Sequence, residues 1–245
     1  MALAEHGLQA VWSERDHPAA VVQGFHPTVG WKLLAEGAYA LATGIPWVAS
    51  NLDRTVPTDR GRAPGNGTLV DALRAASGRE PQVAGKPEPA LFDEAQRRLG
   101  GTNPLVVGDR IDTDIAGASR AGAASMLVLT GVATLTEACA ATGDNRPTFV
   151  APDLEGLLLP HPEVRPVPAG ARCGDWQAVV RDGRLVLEGP ERKDGGPDET
   201  LAAVRAVVAA CWAWQDDPDD SGHGPEAGDT VDVGAAERRL RDMMA

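Results

Sequence analysis

Leu105-Val-Val-Gly-Asp109-Arg-Ile-Asp112-Thr-Asp114-Ile115 decides the fold. An apolar run ends at Gly108, and three carboxylates follow before the next apolar residues. Such a run, bounded by glycine, reads as a buried strand, and the residues after the acidic loop read as the start of a helix. Asp109, Asp112 and Asp114 repel one another, and a carboxylate out of water is unstable unless paired, so the loop calls for a cation. An oxygen-only donor set suits Mg2+, which is held by a carboxylate or two together with waters and phosphate oxygens.

Upstream lies Val83-Ala-Gly-Lys86-Pro-Glu-Pro89, which carries one of only three lysines, the others being Lys32 and Lys193. A lysine beside a glycine and ahead of two prolines has a fixed approach and can act as a point charge for a phosphate oxygen. Pro89 starts a helix with Leu91, Phe92, Ala95 and Leu99 turned inward, and Gly100 stops it. That helix is expected to bring Lys86 and the acidic loop onto one rim. Beyond Asp114, Ile115 to Ala121 reads as a small-residue helix with its positive end toward the carboxylates, and Ser125 to Thr130 as the next buried strand.

The same strand and helix alternation precedes Lys86. Ala19 to Phe25 reads as a strand; Trp31, Leu34, Ala35, Ala38 and Leu41 recur at helical spacing; Trp47 to Ser50 reads as a second, parallel strand. Residues 51–67 are polar and rich in Pro and Gly, and Thr68 to Ala76 is amphipathic. The Gly65-Asn-Gly67 run admits two readings, an anion-binding loop before a helix or a plain helix cap. Asn51 and Asp53 are turn-forming residues at the end of the second strand.

Gly-Lys86-Pro-x-Pro, one amphipathic helix, then Val-Gly-Asp109-Arg-Ile-x-Thr-Asp114-Ile resembles the third and fourth motifs of haloacid dehalogenase (HAD) superfamily phosphatases. More narrowly it is similar to the branch containing NagD, phosphoglycolate phosphatase and pyridoxal phosphatase, over about Pro18 to Leu158. The resemblance implies an α/β fold with a HAD-like (Rossmannoid) parallel sheet, a partial core and an α/β cap domain; the residues beyond it read as a small C-terminal hairpin-helix extension. It implies Lys86 as a catalytic residue, Asp109 as a direct Mg2+ ligand, and Asp114 as a second ligand or the group that orients metal-bound water. Asn51 and Asp53 would border the entrance for a small phosphorylated metabolite, and Asp112 falls at a variable, solvent-exposed position.

Family members place an aspartate nucleophile in an Asp-x-Asp motif upstream of the cap. The acidic residues before the cap-like sequence here are Glu5, Glu14 and Asp16, none in that pattern, and Asp112-Thr-Asp114 belongs to the metal loop. The expectation is therefore a Mg2+-dependent phosphatase by descent that does not turn over by itself. The alternatives are a non-catalytic interaction or phosphate-binding fragment, or one half of a split phosphatase.

The expected domains are an α/β cap over 1–82, a partial core over 83–158, a hairpin and helix over 159–214, and an acidic tail over 215–245, disordered over Gln215 to Asp232 and ending in a short helix over Ala235 to Met244. Within the third, the Asp182-Gly183 pair marks a hairpin of Trp176 to Val180 with Arg184 to Glu188, covered by a helix from Thr200 to Trp214. A net charge of -12 disfavours nucleic acid. Cys139, Cys173 and Cys211 lack metal or disulfide spacing, which suits a reduced cytoplasmic setting. Neither a signal peptide nor a spanning segment is legible, so no membrane association is expected. A receiver-domain reading fails because its acidic pair precedes its lysine by a wide margin, the reverse of the order here. Leu105 to Val107 are expected to lie at an open sheet edge, able to pair with a second copy or a partner chain.

Overall fold

The computed structural model describes residues 2–190, 196–216 and 230–244, arranged as two compact units, Met1–Thr102 and Asn103–Ala245. Lys86 and the helix after it thus fall in the first unit, whereas the sequence groups them with the acidic loop.

In the first unit β1 (Val21–Gln23) and β2 (Trp47–Ala49) pair in parallel across the helix Trp31–Ala42. A hairpin of β3 (Thr55–Thr58) and β4 (Gly61–Pro64) follows, and after the helix Asn66–Ser77 the strand β5 (Gln82–Val83) adds to the other side of β2. Leu41, Trp47, Ala49, Val70 and Leu73 form the core, joined by Val21, Leu34 and Leu52. The buried Trp47 indole donates to Gln23 Oε1 at 3.1 Å, so its one polar atom is satisfied. Two expectations fail here. Trp31, placed on the inward face by its spacing, is 77% exposed, because the buried arc of its helix runs through Leu34, Ala40 and Leu41. Leu91 and Leu99 of the helix Ala90–Leu99 are also exposed; that helix has an apolar stripe but no buried residue.

The second unit opens with β6 (Leu105–Gly108), β7 (Ala124–Val128) and β8 (Phe149–Ala151), a parallel sheet in the order β6-β7-β8. It continues into an antiparallel meander of β9 (Val164–Val167), β10 (Gly170–Cys173), β11 (Trp176–Arg181) and β12 (Arg184–Glu188). Asp182 and Gly183 both have positive φ, as a two-residue hairpin turn requires. The expected hairpin is there, but β9 and β10 double it. The helix Pro197–Asp216 packs on β10 and β11 and also on β8 and the short helix Leu135–Ala140. Contact on several sides explains why Leu201, Val204, Val207 and Val208 alternate with buried alanines along it. One apolar cluster runs from Leu127 and Val150 to Trp176, Val180 and Val207, so residues 159–214 share a core with the parallel sheet.

Within the tail over 215–245 the short terminal helix expected over Ala235 to Met244 is present, and the disorder expected over Gln215 to Asp232 is corrected at its described residues. Val231 and Val233 are buried, and the helix Gly234–Met244 buries Ala236, Leu240 and Met243 at helical spacing against the same cluster. The other part of that expectation, residues 217–229, lies outside the described residues, as does the linker expected over 191–195. Arg239 fixes the last helix by donating to the carbonyls of Leu187, Gly189 and Pro190, with its guanidinium 4.7 Å from the Trp176 ring centre. Among the described residues no helix is long and apolar enough to cross a membrane. The three cysteines are free thiols, all buried.

Arg146 grips Asp216 with both terminal nitrogens, at 2.6 and 2.9 Å, and holds its carboxyl below the ordinary range. A depressed carboxylate stabilises the fold above its unfolded pKa, about 3.9, and that contribution disappears as pH falls through the folded value. Arg146→Ala should therefore show a shallower loss of thermal stability below about pH 4 than the wild type. An acid limb as steep as the wild type's in a circular-dichroism melting series would count against this coupling.

Candidate functional site

The first unit gathers three of the expected residues. The chain leaves β2 at Ser50 and turns at Asn51, whose Oδ1 accepts from the Asp53 amide at 3.1 Å. Leu52 N then donates to Lys86 O at 3.1 Å, and Lys86 Nζ stands 3.5 Å from Asp53 Oδ2. Asn51, Asp53 and Lys86 thus form one knot, with the lysine and the aspartate only partly exposed. Gly85 is required beside them, because a Cβ there would overlap the Ser50 carbonyl oxygen.

The second unit holds the carboxylates. Asp109 follows β6 at the C-terminal edge of the parallel sheet, the end where open α/β sheets bind ligands. Its Oδ2 accepts from Val132 N at 2.8 Å, and its backbone oxygen accepts from Ala133 N at 2.9 Å. Asp114 is buried, and its Oδ2 accepts from Arg110 N at 3.1 Å. Asp112, expected at a solvent-exposed position, is exposed and pairs with the Arg110 guanidinium at 2.8 Å. The helix expected from Ile115 starts earlier: residues Ile111–Ile115 make a wide π-helical turn that continues into the helix Ala116–Arg120. That turn swings the Asp114 carboxylate back under Gly108, where a side chain at 108 would strike it.

Sequence reasoning missed several supporting residues. Gly131 and Val132, after β7, cradle Asp109; a Cβ at 131 would overlap the Asp109 carboxylate. The signal was a lone glycine three residues past a buried strand. Asn66, read only as part of a glycine-rich loop, is buried and donates to Asn51 O at 2.8 Å. Arg110 was passed over although it neutralises Asp112 inside the acidic loop.

This strand, acidic turn and lysine define a class, and the comparisons agree with it. A protein-family profile of HAD-hydrolase-like proteins matches residues 83–157. D-glycerol 3-phosphate phosphatase from Mycobacterium tuberculosis is 45% identical over 212 residues, 86% of this chain and 59% of that protein. The crystal structure of the glycerol phosphate phosphatase from that organism in complex with magnesium aligns with a TM-score of 0.69 at 45% identity, over 86% of this chain and 61% of that one. A 4-nitrophenylphosphatase from Thermotoga maritima aligns with a TM-score of 0.56 at 31% identity, over 63% of this chain and 58% of that one. The chain belongs to the HAD-like hydrolases, in the branch of NagD and the p-nitrophenyl phosphatases. It spans about three fifths of the length of that curated relative.

Proposed function

We propose that this chain carries the metal-binding and phosphate-holding parts of a HAD-type phosphatase for small phosphate monoesters, glycerol phosphate being the best-supported substrate class. The observation that carries this reading is the anchoring of Asp109 and Asp114 by the backbone amides of Val132 and Arg110 at the end of β6. A hydrogen bond from a backbone amide to one oxygen fixes a carboxylate's orientation, which is what a metal ligand needs. The donor set fits Mg2+: both groups offer oxygen, and no set of three or more His, Cys, Asp or Glu side chains is placed to hold a metal among the described residues, which argues against a softer or fully protein-caged ion. Bound Mg2+ would neutralise phosphate charge.

Lys86 supplies a point charge for a phosphate oxygen, and Asp53 restrains its ammonium group. Asn51 presents its turn next to that lysine, and in this reading it meets the organic part of the substrate. HAD-type transfer also needs an attacking carboxylate. No Asp-x-Asp pattern occurs before Lys86, so the 245 residues expressed by themselves are proposed to bind without turning over. Calorimetry should show weak Mg2+ binding that falls at least about 10-fold in Asp109→Asn, and p-nitrophenyl phosphate should not be hydrolysed above background. Hydrolysis lost in Lys86→Ala, or metal binding that survives Asp109→Asn, would overturn the reading.

A second reading, a chain completed by a partner strand or by its own copy, is favoured by the sheet edge. Among the described residues β6 pairs with β7 only, and Leu105 is 39% exposed. An open apolar edge invites strand addition. Light scattering across a dilution series should show self-association that Leu105→Lys suppresses. A monomer at every concentration, equal in both proteins, would remove this reading.

A further inference from the structure

We infer that Asn66 is the positioning residue of the Asn51–Asp53 turn and, through that turn, of Lys86. The inference rests on the phosphate-holding role proposed for Lys86.

Asn66 is the first residue of the helix Asn66–Ser77 and is 1% exposed. It does not cap its own helix: the N-cap is Gly65, with no side-chain cap bond. Its side chain turns instead to the neighbouring loop, where Nδ2 donates to the Asn51 carbonyl at 2.8 Å. Its Oδ1 is buried with no hydrogen-bond partner among the described residues. A buried acceptor left unmet destabilises a fold, and the one hydrogen bond given for this side chain goes to the loop rather than to the helix.

The surroundings leave that loop little freedom. A Cβ at Gly65 would overlap the Asp53 carbonyl oxygen, and one at Gly67 the Leu52 carbonyl oxygen, so the helix start lies flat against residues 52 and 53. Gly67 N donates to Asp53 O and Gly65 N to Arg54 O, each at 2.9 Å, while Thr68 Oγ1 donates to Arg54 O at 2.6 Å. These contacts hold the downstream half of the turn. The upstream carbonyl, Asn51 O, is held by Asn66. Lys86 is tied to the same turn twice, by Leu52 N to its carbonyl and by Asp53 to its ammonium. Releasing Asn51 therefore loosens both ties at once.

The test uses the full chain, nuclear magnetic resonance and inorganic phosphate as the probe. Asn66→Ala removes the donor. Asn66→Asp restores one only when its carboxyl is protonated, which burial favours up to about pH 5 or above. The expected result is that Asn66→Ala weakens phosphate binding about 10-fold or more and shifts the Asn51, Leu52 and Lys86 resonances, in line with positioning effects elsewhere. Asn66→Asp should match the wild type at low pH and the alanine variant at high pH. A lower melting temperature with unchanged Lys86 resonances and unchanged phosphate affinity would reduce Asn66 to a packing residue and overturn the inference. Should the wild type itself not bind phosphate while the pH-dependent rescue of the turn is still seen, the inference about Asn66 stands and the reading of Lys86 falls.

Discussion

Gly131→Ala is expected to abolish measurable Mg2+ binding while leaving the far-ultraviolet spectrum of the chain unchanged. Gly131 has an ordinary backbone angle, so the substitution brings no strain of its own; the effect comes from space. The Cβ would sit on the Asp109 carboxylate, and carboxylate or loop must give way. Because Val132 N is the donor that orients Asp109 Oδ2, either movement breaks the bond that fixes the ligand. Loss of such an orienting partner lowers metal affinity about 10- to 100-fold, and direct displacement of the ligand adds to that. Gly101→Ala is the control, since nothing lies within 4 Å of a Cβ there. Titration calorimetry of both variants decides it: Gly131→Ala binding as the wild type does would mean that Asp109 is not a ligand.

The part of the site that sequence reveals is the part carried by side-chain chemistry at fixed spacing. Asp109, Asp114 and Lys86 were legible because clustered carboxylates and a proline-flanked lysine demand an electrostatic explanation wherever they occur. Gly131, Gly67 and Asn66 were not, because their roles depend on what lies across a loop in space, and a glycine required for close approach looks like one required for a turn. The strands split the same way. The alternation around Asp182-Gly183 marked β11 and β12, whereas Val-Arg-Pro166-Val concealed β9. Proline is tolerated there because among the described residues β9 lies at the edge of its sheet, paired with β10 only. The β3–β4 hairpin was hidden by Pro57 and Pro64 in the same manner. The last helix was expected over Ala235 to Met244, whereas the burial of Val231 just before it was not, because an acidic composition read as disorder.

Trp176→Ala should unfold the second unit as a whole rather than free its antiparallel sheet. The indole is 1% exposed on β11, with the Gly189 backbone against one part of the ring and Arg239 over it. Truncating a buried tryptophan costs about 3–5 kcal/mol. A typical domain is stable by only about 5–15 kcal/mol, so little reserve remains. The cluster that contains Trp176 also contains Leu127 of β7 and Val150 of β8, and the helix Pro197–Asp216 touches both sheets. Losing the ring releases Arg239 and the last helix, then the long helix, and with it one cover of the parallel sheet. Trp176→Phe separates ring from indole: it keeps an aromatic ring and removes Nε1, which is buried without a hydrogen-bond partner among the described residues. That variant should lose less than Trp176→Ala does, because the cavity it leaves is smaller. Urea unfolding followed by hydrogen exchange tests the coupling, with Trp176→Ala expected to expose the amides of Met126 to Val128 at the same midpoint as those of β11. Retained protection at Met126 to Val128 after β11 has opened would show that the parallel sheet stands without the extension, and that the shared apolar cluster does not couple them.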